Sequence, residues 1–215
     1  MKPKNNKGRP AQISKDDVIH QALNIGLTKV SMHSLGKELG VSATALYRHV
    51  DSKESLIVAC CDYIMAQVPL PRESSWEETL YSFSRSFRQA LLAIPGSVDF
   101  IRHNQQFTPS SCVLVDHILG VFIEAGLKPD AGFMAFASVF TRVTDIVQHQ
   151  EQSLRLAQDP SPTVPHMDVQ HLPNLAQFLS QTQAVNYDHY FEDGIKITIE
   201  GLKAVYGQTL SSKRS

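Results

Sequence analysis

Residues 31–50 read SMHSLGKELGVSATALYRHV, and the spacing of their apolar side chains decides the fold. Leu35 and Leu39 stand four apart, as do Leu46 and Val50, so each half of the stretch carries an apolar edge at helical spacing. Gly40 between the halves can take the positive φ that a sharp inter-helix turn requires, and Val41 after it is placed to plug the gap. Ser31 and Ser42 stand where N-caps belong. With Leu35, Leu39, Val41 and Leu46 inward, the second helix of the pair exposes Ala43, Thr44, Tyr47 and Arg48. A small residue at the start of such a helix permits close entry into a DNA major groove. Hydroxyls and donors beside it reach phosphates and base edges, and the helix N-terminus itself favours a phosphate.

The flanking sequence extends this helix-turn-helix on both sides. Upstream, Ser14 and Asp17 make a capping-box start, Val18, Ile19, Ala22 and Leu23 share one face, and Gly26 closes the helix. Downstream, Ser52 caps a fourth helix whose apolar positions Leu56, Ile57, Cys60 and Ile64 run to the break at Pro69 and Pro71. Charge follows the same division. Through Lys53 there are nine Lys and Arg against four acids; from Glu54 onward there are eleven against seventeen. A net −1 overall therefore conceals a basic segment suited to a polyanion and an acidic remainder.

Beyond the prolines the expected helices lengthen. Ser75 and Glu78 open one with Leu80, Phe83, Phe87, Leu91 and Ile94 in phase, and a helix of about ten residues follows from Ser97. Another runs from Pro109 to Gly126, and a long one opens at Asp130 with Phe133, Phe136, Ala137, Phe140, Val143 and Val147 on one stripe. Pro160, Pro162, Pro165 and Pro173 mark a loop; a short helix at 175–183 and a final one from about Asn186 to Tyr206 close the chain. No strand pattern interrupts them. The predicted class is all-α: a basic arm (1–12), a three-helix head with a linking fourth helix (13–68), a larger helical domain (72–207) and a tail (208–215).

Composition excludes other classes. No apolar run, Ala90 to Ile94 included, approaches the length that spans a membrane, and three cysteines, two of them adjacent, give no disulfide framework. The expectation is a soluble cytoplasmic protein with no membrane partner. No G-x-S-x-G, H-E-x-x-H, P-loop or dinucleotide fingerprint occurs, which argues against an enzyme.

The run LGVSxxxLYxHVxSKExL over 39–56 resembles the DNA-binding signature of the TetR (tetracycline-repressor) family, and ESSWEE (73–78), SFRQALL (86–92), YFEDGI (190–195) and IEGL (199–202) resemble the core domain of the subgroup that gives the family its name. The resemblance implies a regulator, most simply a repressor, that binds a palindromic double-stranded DNA operator as a homodimer and is released by a small-molecule effector. The same fold could serve an activator or a ligand-insensitive DNA organiser, and an all-α enzyme is the rival class.

Carried onto this chain, the resemblance implies that His33 reads a base or phosphate and that Ser42, Ala43, Thr44 and Ala45 open the recognition helix against base edges. Tyr47, His49 and Lys53 face phosphates, Arg48 joins the DNA-binding set, and Arg9 of the arm lies along the minor groove. Gly36 departs from the family, many members of which have Ala there; the cost is about 1 kcal/mol of helix propensity unless a close approach needs it.

In the second domain the resemblance assigns the long helix and the last helix to pairing with a two-fold mate, the apolar face of the last helix carrying Phe191, Ile195, Ile199, Leu202 and Tyr206. Candidate pocket residues are Phe83, Phe87, Phe100, His103, Phe107 and Phe136, with His117, Asp145 and His149 as polar members, a set that suits a small, largely apolar ligand. Phenylalanines at these spacings serve equally as ordinary core. Phe83 stands where the founding repressor has a drug-binding amide, so tetracycline is not the expected effector; no metal or other cofactor is expected.

Overall fold

A hydroxyl stands at the start of each of the first five helices, and each accepts a hydrogen bond from a backbone N–H that helix geometry leaves unpaired. The computed structural model describes residues 13–73, 75–104, 106–158, 171–181 and 185–211, and the described residues form ten helices and no strand. The arm with Arg9 and residues 159–170 of the proline segment lie outside them.

Four helices build the head: α1 (Lys15–Ile25), α2 (Met32–Leu39), α3 (Ala43–Leu46) and α4 (Lys53–Ala66). Ser14 and Asp17 form the expected reciprocal capping box, and Ser31 with Ser34 and Ser52 with Ser55 form two more. Gly40 ends α2 in the left-handed region at φ 67°. The recognition helix is shorter than two turns. After Leu46 the chain tightens, Arg48 N–H donating to Ala45 O (3.3 Å) and His49 N–H to Leu46 O (2.9 Å). Val18, Ala22, Leu35, Leu46 and Leu56 are wholly buried and form the centre of the head.

Gly36 is explained by its surroundings. A Cβ added there would lie 2.8 Å from the Val41 carbonyl oxygen, because the turn folds back tightly enough for Val41 N–H to donate to Gly36 O at 2.9 Å. Gly36→Ala gains about 1 kcal/mol in helix propensity yet drives a methyl into backbone that has no flexible end to yield. The expected outcome is a lower thermal midpoint and weaker DNA binding; a raised midpoint in a calorimetric scan would show that the turn opens freely.

The second domain comprises α5 (Trp76–Leu92), α6 (Ser97–His103), α7 (Pro109–Glu124), α8 (Pro129–Gln158), α9 (Pro173–Gln181) and α10 (Tyr187–Ser211). Helix α8 is its axis, packed against α5, α7 and α10. Helix α6 ends at His103, three residues sooner than its apolar pattern implied, where Asn104 turns to extended backbone. Helix α10 continues to Ser211, into what read as tail. Arg88 clamps three helices: its guanidinium pairs with Asp188 (2.8 Å), donates to Gln150 (3.0 Å) and lies 4.7 Å over the Phe191 ring.

The apolar face of α10 corrects an expectation. Phe191, Ile195, Ile199 and Leu202 are buried within the protomer, because they close the α5–α8–α10 core rather than a two-fold interface. The opposite face presents Tyr190, Ile197 and Val205, and α8 presents Met134. Among the described residues no helix is long and apolar enough to cross a membrane.

Candidate nucleic-acid interface and ligand pocket

The buried Leu46 anchors α3 and thereby fixes which of its neighbours face outward. Ser42, Ala43, Thr44, Tyr47 and Arg48 are exposed, Tyr47 at 51%, while Ala45 and His49 are half-buried. Thr44, Tyr47 and Arg48 thus stand open beside α3, and His33 of α2 and Lys53 at the first turn of α4 are exposed as well. Among the described residues neither Lys37, Arg48 nor Lys53 forms an ion pair, so their charge is available to a polyanion. Ala45 is less open than Ala43 and Thr44, and its N–H donates to the Ser42 hydroxyl at 3.2 Å.

The pocket lies at the other end of α4. A cavity of about 200 Å³ opens between α4, α6, α7 and α8. Cys61 and Met65 of α4 form one side, Phe133, Phe136, Ala137 and Phe140 of α8 the other, and Asn104, Gln106, Phe107 and Thr108 the rim between α6 and α7. Of the residues proposed from sequence, the structure brings only Phe107 and Phe136 to this cavity.

The others are elsewhere for identifiable reasons. Phe83 and Phe87 are wholly buried one layer behind the wall, Phe83 at 5.2 Å from Phe136 and Phe87 stacked at 4.9 Å on Phe140. Phe100 is core, its carbonyl accepting from the Cys61 thiol at 3.1 Å. His103 is exposed, and His117 is held at 2.7 Å to the Pro71 carbonyl oxygen. Asp145 faces Arg102 at 3.9 Å beside a shallow α8–α10 groove, and His149 is exposed. Phe133 and Phe140 were missed although they stand in phase with Phe136 on α8, a signal the sequence already carried.

Burial pushes the Cys60 and Cys61 thiols up to about 12, so Cys61 is an apolar wall atom rather than a nucleophile. Among the described residues no carboxylate or imidazole lines the cavity, and no group of three or more His, Cys, Asp or Glu is placed to hold a metal. The thioether, amides and hydroxyls present do not fit a divalent cation, which takes carboxylate or imidazole donors.

Two contacts tie pocket to head. Asp62, next to Cys61, accepts from Ser110 N–H at 2.8 Å and so caps α7 from α4. Cys61 itself fastens α4 to α6. A short basic reader and a helix-walled cavity joined by one helix is a family architecture, and comparison confirms it. Residues 24–60 match the family described as bacterial regulatory proteins, tetR family, and residues 68–206 match the tetracyclin repressor-like C-terminal domain. The chain belongs to the TetR family.

This TetR-family regulator is 26% identical over 153 residues to the HTH-type transcriptional repressor Rv1353c of Mycobacterium tuberculosis, covering 65% of the present chain and 58% of that relative's length. It is 25% identical over 199 residues to the class A tetracycline repressor from transposon 1721 in Escherichia coli, covering 89% and 91% of the two chains. Among solved structures, the Streptomyces coelicolor TetR family protein ActR in complex with actinorhodin superposes with a TM-score of 0.73 at 25% identity, over 92% of this chain and 100% of that one.

Proposed function

We propose that this TetR-family regulator is a repressor that binds a palindromic operator as a homodimer and is released by a small molecule seated in the α4–α8 cavity, without a metal or other cofactor. The observation that carries the reading is the exposure of Thr44, Tyr47, Arg48 and Lys53 around a helix anchored by the buried Leu46. A dimer gives that surface its use, since two readers about 34 Å apart meet successive major grooves of a palindrome. The exposed apolar face of α10 with Ile197 and Val205, together with Met134 on α8, is the surface offered to a second copy.

Release follows as a shift between two arrangements of the heads. An effector must prefer the arrangement whose readers are off groove spacing. Asp62 and Cys61 give it a route, because both fix α4 to helices that wall the cavity. A coupling of about 1–3 kcal/mol changes operator affinity about 5–150-fold. The ligand-bound ActR and the repressor names of the relatives support this reading.

The test is binding to duplexes drawn from the protein's own promoter region. Saturable, salt-weakened binding to a palindrome is expected, with Tyr47→Ala and Lys53→Ala each weakening it while circular dichroism is unchanged. Lys53→Ala should also lower the salt slope by about one per protomer. Equal affinity for random and palindromic DNA would replace the repressor with a DNA organiser, and normal footprints from both variants would place the reading face elsewhere.

A further inference from the structure

Four phenylalanine rings follow one another along the cavity. Phe107 meets Phe133 edge-on at 6.2 Å, Phe133 stands 6.3 Å from Phe136, and Phe136 stands 5.8 Å from Phe140. Met65, Ile101 and Val115 add aliphatic surface, and among the described residues no Asp, Glu, Lys, Arg or His lines the space. A ligand charge would be desolvated there with nothing to pair it.

Most polar groups at the rim are already engaged. The Thr108 and Ser111 hydroxyls are locked together by the capping box at the start of α7. The Asn104 amide donates to Gln106 O (2.8 Å) and accepts from Gln106 N–H (3.2 Å), and the Cys61 thiol is spent on Phe100. Only the Gln106 side-chain amide, among the lining groups of the described residues, makes no hydrogen bond, and it can both donate and accept. Size narrows the class further. A volume near 200 Å³ exceeds the roughly 150 Å³ that holds benzene and falls below the roughly 300 Å³ at which drug-sized sites begin.

We infer that the pocket takes an uncharged aromatic molecule of one or two rings bearing a single hydroxyl or carbonyl, its rings against Phe133, Phe136 and Phe140 and its substituent at Gln106. This rests on reading the cavity as the effector site. The test is titration calorimetry on the full chain with three probes: 2-naphthol, naphthalene and 2-naphthoate. Expected are one 2-naphthol per protomer, at least about tenfold weaker 2-naphthoate, and no change on adding magnesium or a chelator. Gln106→Ala should weaken 2-naphthol severalfold and leave naphthalene unmoved, and Ala137→Phe should abolish both by filling the space.

Tight 2-naphthoate binding, dependence on magnesium, absence of 2-naphthol binding, or full binding by a folded Ala137→Phe would each overturn the inference. A parallel anisotropy measurement on the palindromic duplex separates the two claims. If 2-naphthol binds as described yet leaves the duplex bound, the pocket chemistry stands and release by such a ligand fails. If 2-naphthoate outcompetes 2-naphthol and also releases DNA, effector release stands and the neutral-aromatic class falls.

Discussion

Ile199→Glu is expected to unfold the second domain. Ile199 is 0% exposed and faces the α5–α8 core, so a glutamate there places a carboxylate among hydrocarbon with no partner. The loss is on the order of 5 kcal/mol, comparable with the whole stability of a typical domain at about 5–15 kcal/mol. Two residues away the same substitution should act differently. Ile197 is 71% exposed, and Ile197→Glu should leave the melting of each protomer nearly intact while shifting sedimentation from dimer to monomer. A folded Ile199→Glu monomer, or a stable Ile197→Glu dimer, would mean that the faces of α10 have been assigned the wrong way round.

Phe87→Ala carries the second large effect. The ring is wholly buried, stacked at 5.4 Å on Phe83 and at 4.9 Å on Phe140, and its removal leaves a void that this close-packed layer cannot collapse around. A cost of about 3–5 kcal/mol follows. At about 2–4 °C per kcal/mol for a chain of this size, the thermal midpoint should fall by roughly 10 °C. An unchanged midpoint with lost ligand binding would instead make Phe87 part of the cavity wall.

These two residues show what the sequence made legible and what it concealed. Helix starts were readable because Ser14, Ser31, Ser42, Ser52 and Ser75 each perform a local task, capping an N–H one turn away. The open side of α3 was readable because its buried partner Leu46 is only six residues from the glycine that sets the angle. Periodicity, by contrast, says that Ile199 and Phe87 lie on an apolar face but not what that face meets. In α10 that face meets the protomer's own core, and in the proposed dimer it is the back of the helix that would meet a two-fold mate. On α5 the phenylalanines were one ring too deep to touch a ligand, a distance fixed by how α5 seats against α8. Gln106 lies in the short α6–α7 connection, where no repeat distinguishes a rim amide from any other polar loop residue.

Helix α4 has a geometric consequence of its own. Met65 touches the cavity and Lys53 sits at the reading surface, twelve residues and so about 18 Å along one rigid rod. If that rod is held at Asp62, nine residues and so about 13.5 Å from Lys53, tilting it by about 5° sweeps Lys53 through an arc of about 1.2 Å. Hydrogen bonds to a phosphate tolerate roughly 0.5 Å of travel. A displacement too small to disturb the packing of either domain is therefore ample to carry the head out of register with DNA.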